Sequence, residues 1–139
     1  MVWKKLETLL PKDQPRRMID IGSGLGDLVM HLAQLRPESR IEGIEIAPLP
    51  WVVSVLRGLV KHSRAHFKRG NYHALNFTDY DVVFAYLSPA AMPALWDKAQ
   101  TEMRHGTLLV SYEFDIPGIK PSRIIGTKTG SPKIFVWEM

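Results

Sequence analysis

Seven residues constrain this chain more than any others: Asp20-Ile21-Gly22-Ser23-Gly24-Leu25-Gly26. They close a short apolar run, Arg17 to Ile21, that reads as a strand. They open a segment, Leu25 to Leu35, in which Leu28, Val29, Leu32 and Leu35 recur at helical spacing. Alternating glycines at a strand-to-helix junction let the chain turn tightly and let a ligand approach its backbone. A second run, Arg40 to Ile46, places Glu45 at the end of the next strand, 19 residues beyond Gly26. A carboxylate at that point can accept both hydroxyls of a ribose. The chain therefore reads as an α/β fold with a nucleoside site at the carboxyl ends of its first two strands.

The remaining pattern extends the alternation. Pro48 to His62 is expected to be a helix with Trp51, Val52, Val55, Leu56, Leu59 and Val60 turned inward. Ala65 to Arg69 and Tyr80 to Leu87 read as the third and fourth strands, the latter apolar enough to be covered on both faces. A helix with Leu95, Trp96, Ala99 and Met103 inward ends before His105-Gly106, and Thr107 to Tyr112 is a fifth strand. Asp115 to Ser122 is a loop. Ser122 to Thr127 and Lys133 to Trp137 read as a hairpin around Lys128-Thr129-Gly130-Ser131. Val2, Leu6, Leu9 and Leu10 give a leading helix over 1–11, stopped by Pro11. The sum is one domain over 1–139: a three-layer Rossmann-like sandwich on a mostly parallel seven-stranded sheet, with an antiparallel strand supplied by the C-terminal hairpin.

Composition excludes some chemistry. The chain of 139 residues has no cysteine, so a disulfide framework, a thiolate zinc site and a cysteine nucleophile are ruled out. No secretory h-region and no apolar run of membrane-spanning length stands out, and a cytoplasmic location is expected. The net charge of +4 is compatible with an anionic partner without demanding one. RNA is not excluded and DNA is not expected. Lys61, Arg64, Lys68 and Arg69 are read as a solvated loop and strand end rather than a nucleic-acid patch. His62 and His66 straddle a helix end without a third ligand, and no metal site is expected.

A dinucleotide site shares the strand-loop-helix layout. Its Gly-x-Gly-x-x-Gly pattern, begun at Gly22, would put Asp27 against a pyrophosphate, an unfavourable meeting of negative charges. The pattern present is Gly-x-Gly-x-Gly with an acid two residues ahead. It suits a ligand that carries an amino-acid moiety and no phosphate, with Asp20 serving the ammonium through water.

On these residues the chain resembles class I methyltransferases. Asp20 to Gly26 resembles their first motif and Glu45 their ribose-binding acid. The resemblance implies S-adenosylmethionine as cofactor, bound by Asp20, Gly22, Ser23, Gly24, Gly26, Glu45, Ile46, Asn71 and Tyr86. Gly70-Asn71 stands where many members have Gly-Asp beside the adenine. From Tyr80 onward, Asp81 to Pro89, Met92-Pro93, Leu109-Val110-Ser111 and Phe114-x-x-Pro117-Gly118, together with Gly43 to Pro48, the chain is similar to small bacterial methyltransferases. These in turn are similar to the protein-lysine methyltransferases acting on the ATP synthase c subunit and the adenine nucleotide translocase. That group usually reads Gly-Ser-Gly-Asp-Gly-Arg in the first motif, where this chain has Leu25 and Asp27. It also usually carries a proline-rich segment before the first helix, so a chain starting at that helix is expected to be a shortened form.

The acceptor is expected beyond the fourth strand, where Tyr86, Leu87, Ser88 and Pro89 fall. The Asn-Pro-Pro-Tyr of many amine-directed methyltransferases is absent there. Tyr86 can line the cofactor or stack on the acceptor. Ser88 before Pro89 reads first as a helix cap. Glu113 and Asp115, after the fifth strand, face the same rim and can hold an ammonium. Tyr86, Ser88 and Glu113 are the candidate catalytic residues. The leading function is methylation of an amine, with a protein lysine as acceptor. A non-catalytic cofactor-binding module of the same fold and an NAD-dependent oxidoreductase are the alternatives.

Overall fold

A computed structural model describes residues 16–24, 26–126 and 133–139. The expected leading helix over 1–11, Leu25 and the hairpin turn at 128–131 lie outside the described residues. Among the described residues seven strands and three α-helices follow one another as β1 (Arg17–Ile21), α1 (Asp27–Leu35), β2 (Arg40–Glu45), α2 (Pro48–Val60), β3 (His66–Arg69), β4 (Val82–Ala85), α3 (Met92–Glu102), β5 (Leu108–Tyr112), β6 (Arg123–Ile125) and β7 (Ile134–Glu138). They form one sheet of order β3-β2-β1-β4-β5-β7-β6. The first five strands run parallel, while β7 lies antiparallel to both β5 and β6. The order reverses between β1 and β4. At such a switch point the connections leave in opposite directions and open a crevice outside the carboxyl ends of the strands. The glycine loop follows β1 directly and so stands at that crevice.

Alternate strand residues feed opposite faces, as strand geometry requires. Ile19, Ile21, Val83, Ala85 and Leu109 pack with Met92, Leu95, Ala99 and Met103 of α3. Met18, Val82, Phe84 and Val110 pack on the other side with Leu28, Val29 and Leu32 of α1. Two buried clusters on two faces of one sheet give the three layers expected. Among the described residues no helix is long and apolar enough to cross a membrane.

Four local expectations are corrected. The first helix begins at Asp27, because Gly26 stands in the left-handed region with φ 85° at its N-cap. Leu35, expected inward, is exposed at the last helical residue. The largest difference is in α2. Its apolar side chains were expected to point inward, yet Val52, Leu56, Leu59 and Val60 are exposed and Trp51 and Val55 only half-buried. The buried residues are Ser54 and Gly58, one turn apart. Small residues are needed there because the helix approaches the glycine loop and Phe67 closely. Ser54 Oγ lies 3.2 Å from the Gly24 carbonyl, and a methyl group added at Gly58 would stand 3.3 Å from the Phe67 ring. The helix also ends at Val60, short of His62.

A charged cluster is built into the sheet around a buried acid. Glu42, in the middle of β2, has no side-chain exposure; its Oε2 accepts from Arg17 Nε at 2.9 Å, its Oε1 lies 2.8 Å from Lys68 Nζ, and Arg40 Nε is 3.6 Å away. Arg17 also lies over the Tyr80 ring, 4.8 Å from its centroid. The basic cluster is thus not wholly solvated. Lys68 is drawn to Glu42, and Arg64 reaches the Pro37 carbonyl at 3.4 Å.

Candidate functional site

The glycine loop is built from backbone conformations that side chains resist. Gly22, Gly24 and Gly26 have φ of 75°, 56° and 85°. The loop is pinned to β2, since the N–H groups of Gly22 and Ser23 both donate to the Ile44 carbonyl, at 2.9 and 3.0 Å. Gly26 is constrained twice, because a methyl group there would stand 2.6 Å from the Phe67 ring. Gly26→Ala is therefore expected to cost about 2 kcal/mol, part conformational and part steric, measurable as a lower urea midpoint.

Glu45 grips the same loop. Its Oε1 accepts from the Gly24 N–H at 2.9 Å and its Oε2 from the Ala47 N–H at 3.0 Å. Each oxygen keeps lone-pair capacity for a further donor. The Gly70 N–H donates to the Glu45 carbonyl at 3.0 Å, which brings Gly70-Asn71 alongside. The Asn71 side chain accepts from the His73 N–H at 3.0 Å and caps the short 3₁₀ turn Tyr72–Ala74. Ile46 follows Glu45 and is 62% exposed.

A cleft of about 330 Å³ opens beside the loop, with Asp20, Ser23, Gly24, Tyr86 and Tyr112 on its walls and Phe84 and Val110 deeper in. That volume lies at the lower end of the range for small-molecule sites. Burial, and then the nearby charge of Glu45, push the Asp20 carboxyl up to about 7. The Ser23 hydroxyl is buried without a hydrogen-bond partner. A methyl group added at Gly24 would meet nothing within 4 Å. A carboxyl raised by burial and open space over a glycine fit a ligand with an amino-acid end. Asp27, in the first turn of α1, lines the same cleft and pairs with Arg57 at 2.7 Å. A carboxylate there fits a pyrophosphate poorly.

Two of the three candidate catalytic residues come together. Tyr86 Oη donates to Glu113 Oε2 at 2.9 Å. Of the three only Tyr86 lines the cleft; Glu113 stands outside the lining, bonded to the Tyr86 hydroxyl, and Ser88 is neither in the lining nor bonded to the pair. Ser88 stands at the head of the 3₁₀ turn Pro89–Ala91, but its hydroxyl makes no cap bond, and only its carbonyl is used, by the Ala91 N–H. Asp115 is likewise exposed and apart from the cleft lining. Tyr112 was not singled out from the sequence. The signal was present, since β4 and β5 pair with Ala85 opposite Ser111, so the next residues, Tyr86 and Tyr112, emerge side by side.

Strand order, antiparallel β7 and a glycine loop clasped by an acid from β2 together define a Rossmann-like methyltransferase fold. The particular family follows: the chain belongs to the ANTKMT methyltransferase domain family, whose model matches residues 20–123. It is 27% identical over 136 residues to the adenine nucleotide translocase lysine N-methyltransferase of Mus musculus, covering 94% of this chain and 56% of that protein. A protein-lysine N-methyltransferase of Saccharolobus islandicus is 27% identical over 115 residues, 81% of this chain and 71% of that one. The chain thus spans little more than half the length of the mouse relative. Among solved structures, an RNA methyltransferase from Salinibacter ruber in complex with S-adenosyl-L-homocysteine superposes with a TM-score of 0.88 at 24% identity, covering 99% of this chain and 89% of that one. At that identity the likeness speaks for the fold.

Proposed function

We propose that this chain is one S-adenosylmethionine-binding domain that methylates an amine, with a protein lysine as acceptor. The observation that carries the reading is the pairing of carboxyls around the glycine loop. Glu45, bonded to the Gly24 N–H, is assigned to a ribose and the raised Asp20 carboxyl to an ammonium, and a methyl group added at Gly24 would meet nothing within 4 Å. Ser23, Gly22, Gly24 and Gly26 shape the cradle, Ile46 and Asn71 flank the adenine end, and Tyr86 lines the reacting end. The two relatives named as lysine methyltransferases support the choice of acceptor.

When bound, the cofactor supplies an electrophilic methyl group on a sulfonium. This chain's own residues bind and align, since an in-line displacement depends chiefly on proximity and a dry site. An acceptor lysine must also reach the neutral amine, because its ordinary pKa is about 10.4. No cysteine is available for a covalent relay.

Calorimetric titration with S-adenosylhomocysteine, run beside NAD, tests the reading. The expected result is binding of the former alone, weakened about tenfold in Glu45→Ala, in line with a lost charge-assisted hydrogen-bond pair. Transfer of a labelled methyl group to lysine-rich protein substrates would follow. Binding of NAD in its place would establish the oxidoreductase alternative. Cofactor binding without transfer to any substrate would leave a non-catalytic module.

A further inference from the structure

The rim beyond β4 and β5 holds an arrangement that cofactor binding does not require. Tyr86 is 55% exposed, so burial of its ring does not explain it. Its ring meets Tyr112 edge-on, with centroids 5.0 Å apart at 82°, and stacks towards Phe114 at 6.3 Å and 23°. Tyr86 Oη donates to Glu113 Oε2. Glu113 itself occupies the left-handed region at φ 77°, where a side chain is strained and glycine is not. It is fixed on both sides: its own N–H donates to the Lys133 carbonyl at 2.7 Å, and the Ser111 hydroxyl donates to the Phe114 carbonyl just beyond it. Strain of this kind persists only where the surroundings enforce it, and it concentrates at ligand sites.

We propose that Glu113, with the rings of Tyr86, Tyr112 and Phe114, is a receptor for a primary alkylammonium, the charged end of a lysine side chain. A carboxylate and aromatic faces attract the same ligand for independent reasons, the charge directly and the rings through their quadrupoles. A neutral hydroxyl or thiol could bond the carboxylate but gains neither the full charge attraction nor the cation–π term. Tyr86 and Tyr112 line the cleft that also holds Asp20 and the glycine loop, while Glu113 stands just outside that lining and is tied to it through the Tyr86 hydroxyl, so an ammonium docked here sits at the rim of the proposed donor site. Glu113 is the binding group. The Tyr86 hydroxyl is a positioning group, because its bond to Oε2 leaves Oε1 for the ligand. Consistent with a negative neighbour, that bond to Glu113 holds the Tyr86 hydroxyl above its ordinary pKa. The assignment deepens the amine-methylation reading and rests on it for the fate of the amine, not for its binding.

The test uses the full chain and two probes, N-acetyl-lysine methylamide and N-acetyl-norleucine methylamide, which differ at the ammonium. Their binding is followed by NMR shift titration, with and without S-adenosylhomocysteine. The expected result is at least tenfold tighter binding of the lysine probe, with the difference abolished in Glu113→Gln. Tyr86→Phe should weaken the lysine probe about threefold while leaving the norleucine probe unchanged. Glu113→Gly adds a readout that a merely structural role would not give. It should lose the discrimination yet melt at or above the wild-type Tm, because glycine relieves the backbone strain. Equal binding of the two probes, or discrimination that survives Glu113→Gln, overturns the proposal. Discrimination in a wild-type protein that binds no S-adenosylhomocysteine would uphold the amine receptor and overturn the cofactor reading. Cofactor binding without discrimination would do the reverse.

Discussion

Glu42→Ala is expected to lower the unfolding free energy by about 3 kcal/mol. The reason lies in what would remain. Arg17 and Lys68 converge on a carboxylate with no exposure, and Arg40 stands behind them. Removing the acid leaves a cavity in the sheet and three part-exposed cations, 37–51% exposed, gathered without their counter-charge. The sign of the pH dependence follows. Burial alone would raise the Glu42 carboxyl, but the hydrogen bonds from Arg17 and then Lys68 outweigh it and hold the group below the ordinary carboxylate range. The unfolded chain then takes up this proton before the native protein does. The contribution is fully present above the unfolded value of about 4.3 and is lost as pH falls through the lower native value. Urea midpoints measured from pH 7 to pH 3 should fall more steeply for the wild type than for Glu42→Ala. Parallel curves would mean that the cluster is neutralised by other means.

Glu42 was not legible in the sequence, whereas the glycine loop was, and the contrast has a physical cause. A loop that needs three left-handed residues at fixed spacing has few ways to be written, so Gly22, Gly24 and Gly26 announce themselves. An acid in a strand looks like any solvent-facing residue until its partners are known, and Arg17 and Lys68 arrive from two neighbouring strands. The strands were placed to within a residue or two because alternation and apolar runs encode burial directly. The α2 face was misread for the same reason. Hydrophobic periodicity finds large apolar residues, but a helix that must pass close to a glycine loop is held there by small ones, Ser54 and Gly58. The pairing of Tyr86 with Glu113 needed the register of β4 on β5, which no local pattern carries.

Asp20 gives the second large effect. Its carboxyl, pushed up to about 7 by burial and then by Glu45, is part protonated near neutral pH when no ligand is bound. A ligand ammonium favours the ionised form, so binding below pH 7 must first displace a proton. Affinity for S-adenosylhomocysteine is therefore expected to fall about twentyfold between pH 7.5 and pH 5.5, the change in the ionised fraction of a group titrating near 7. Calorimetry in two buffers of different ionisation enthalpy should show proton release on binding in that window. Asp20→Asn should bind more weakly at pH 7.5 and lose most of the pH dependence. Stability should move the other way. A raised native value means that the folded protein holds this proton more tightly than the unfolded chain. The Asp20 contribution therefore declines as pH rises from about 3.9 towards 7 and is constant above. Asp20→Asn should accordingly raise Tm at pH 8 relative to the wild type and leave it nearly unchanged at pH 4. A residue whose removal stabilises the empty protein and weakens the complex is placed for the ligand. A variant that weakened both equally would assign Asp20 to the fold instead, and the affinity would then show no inflection near pH 7.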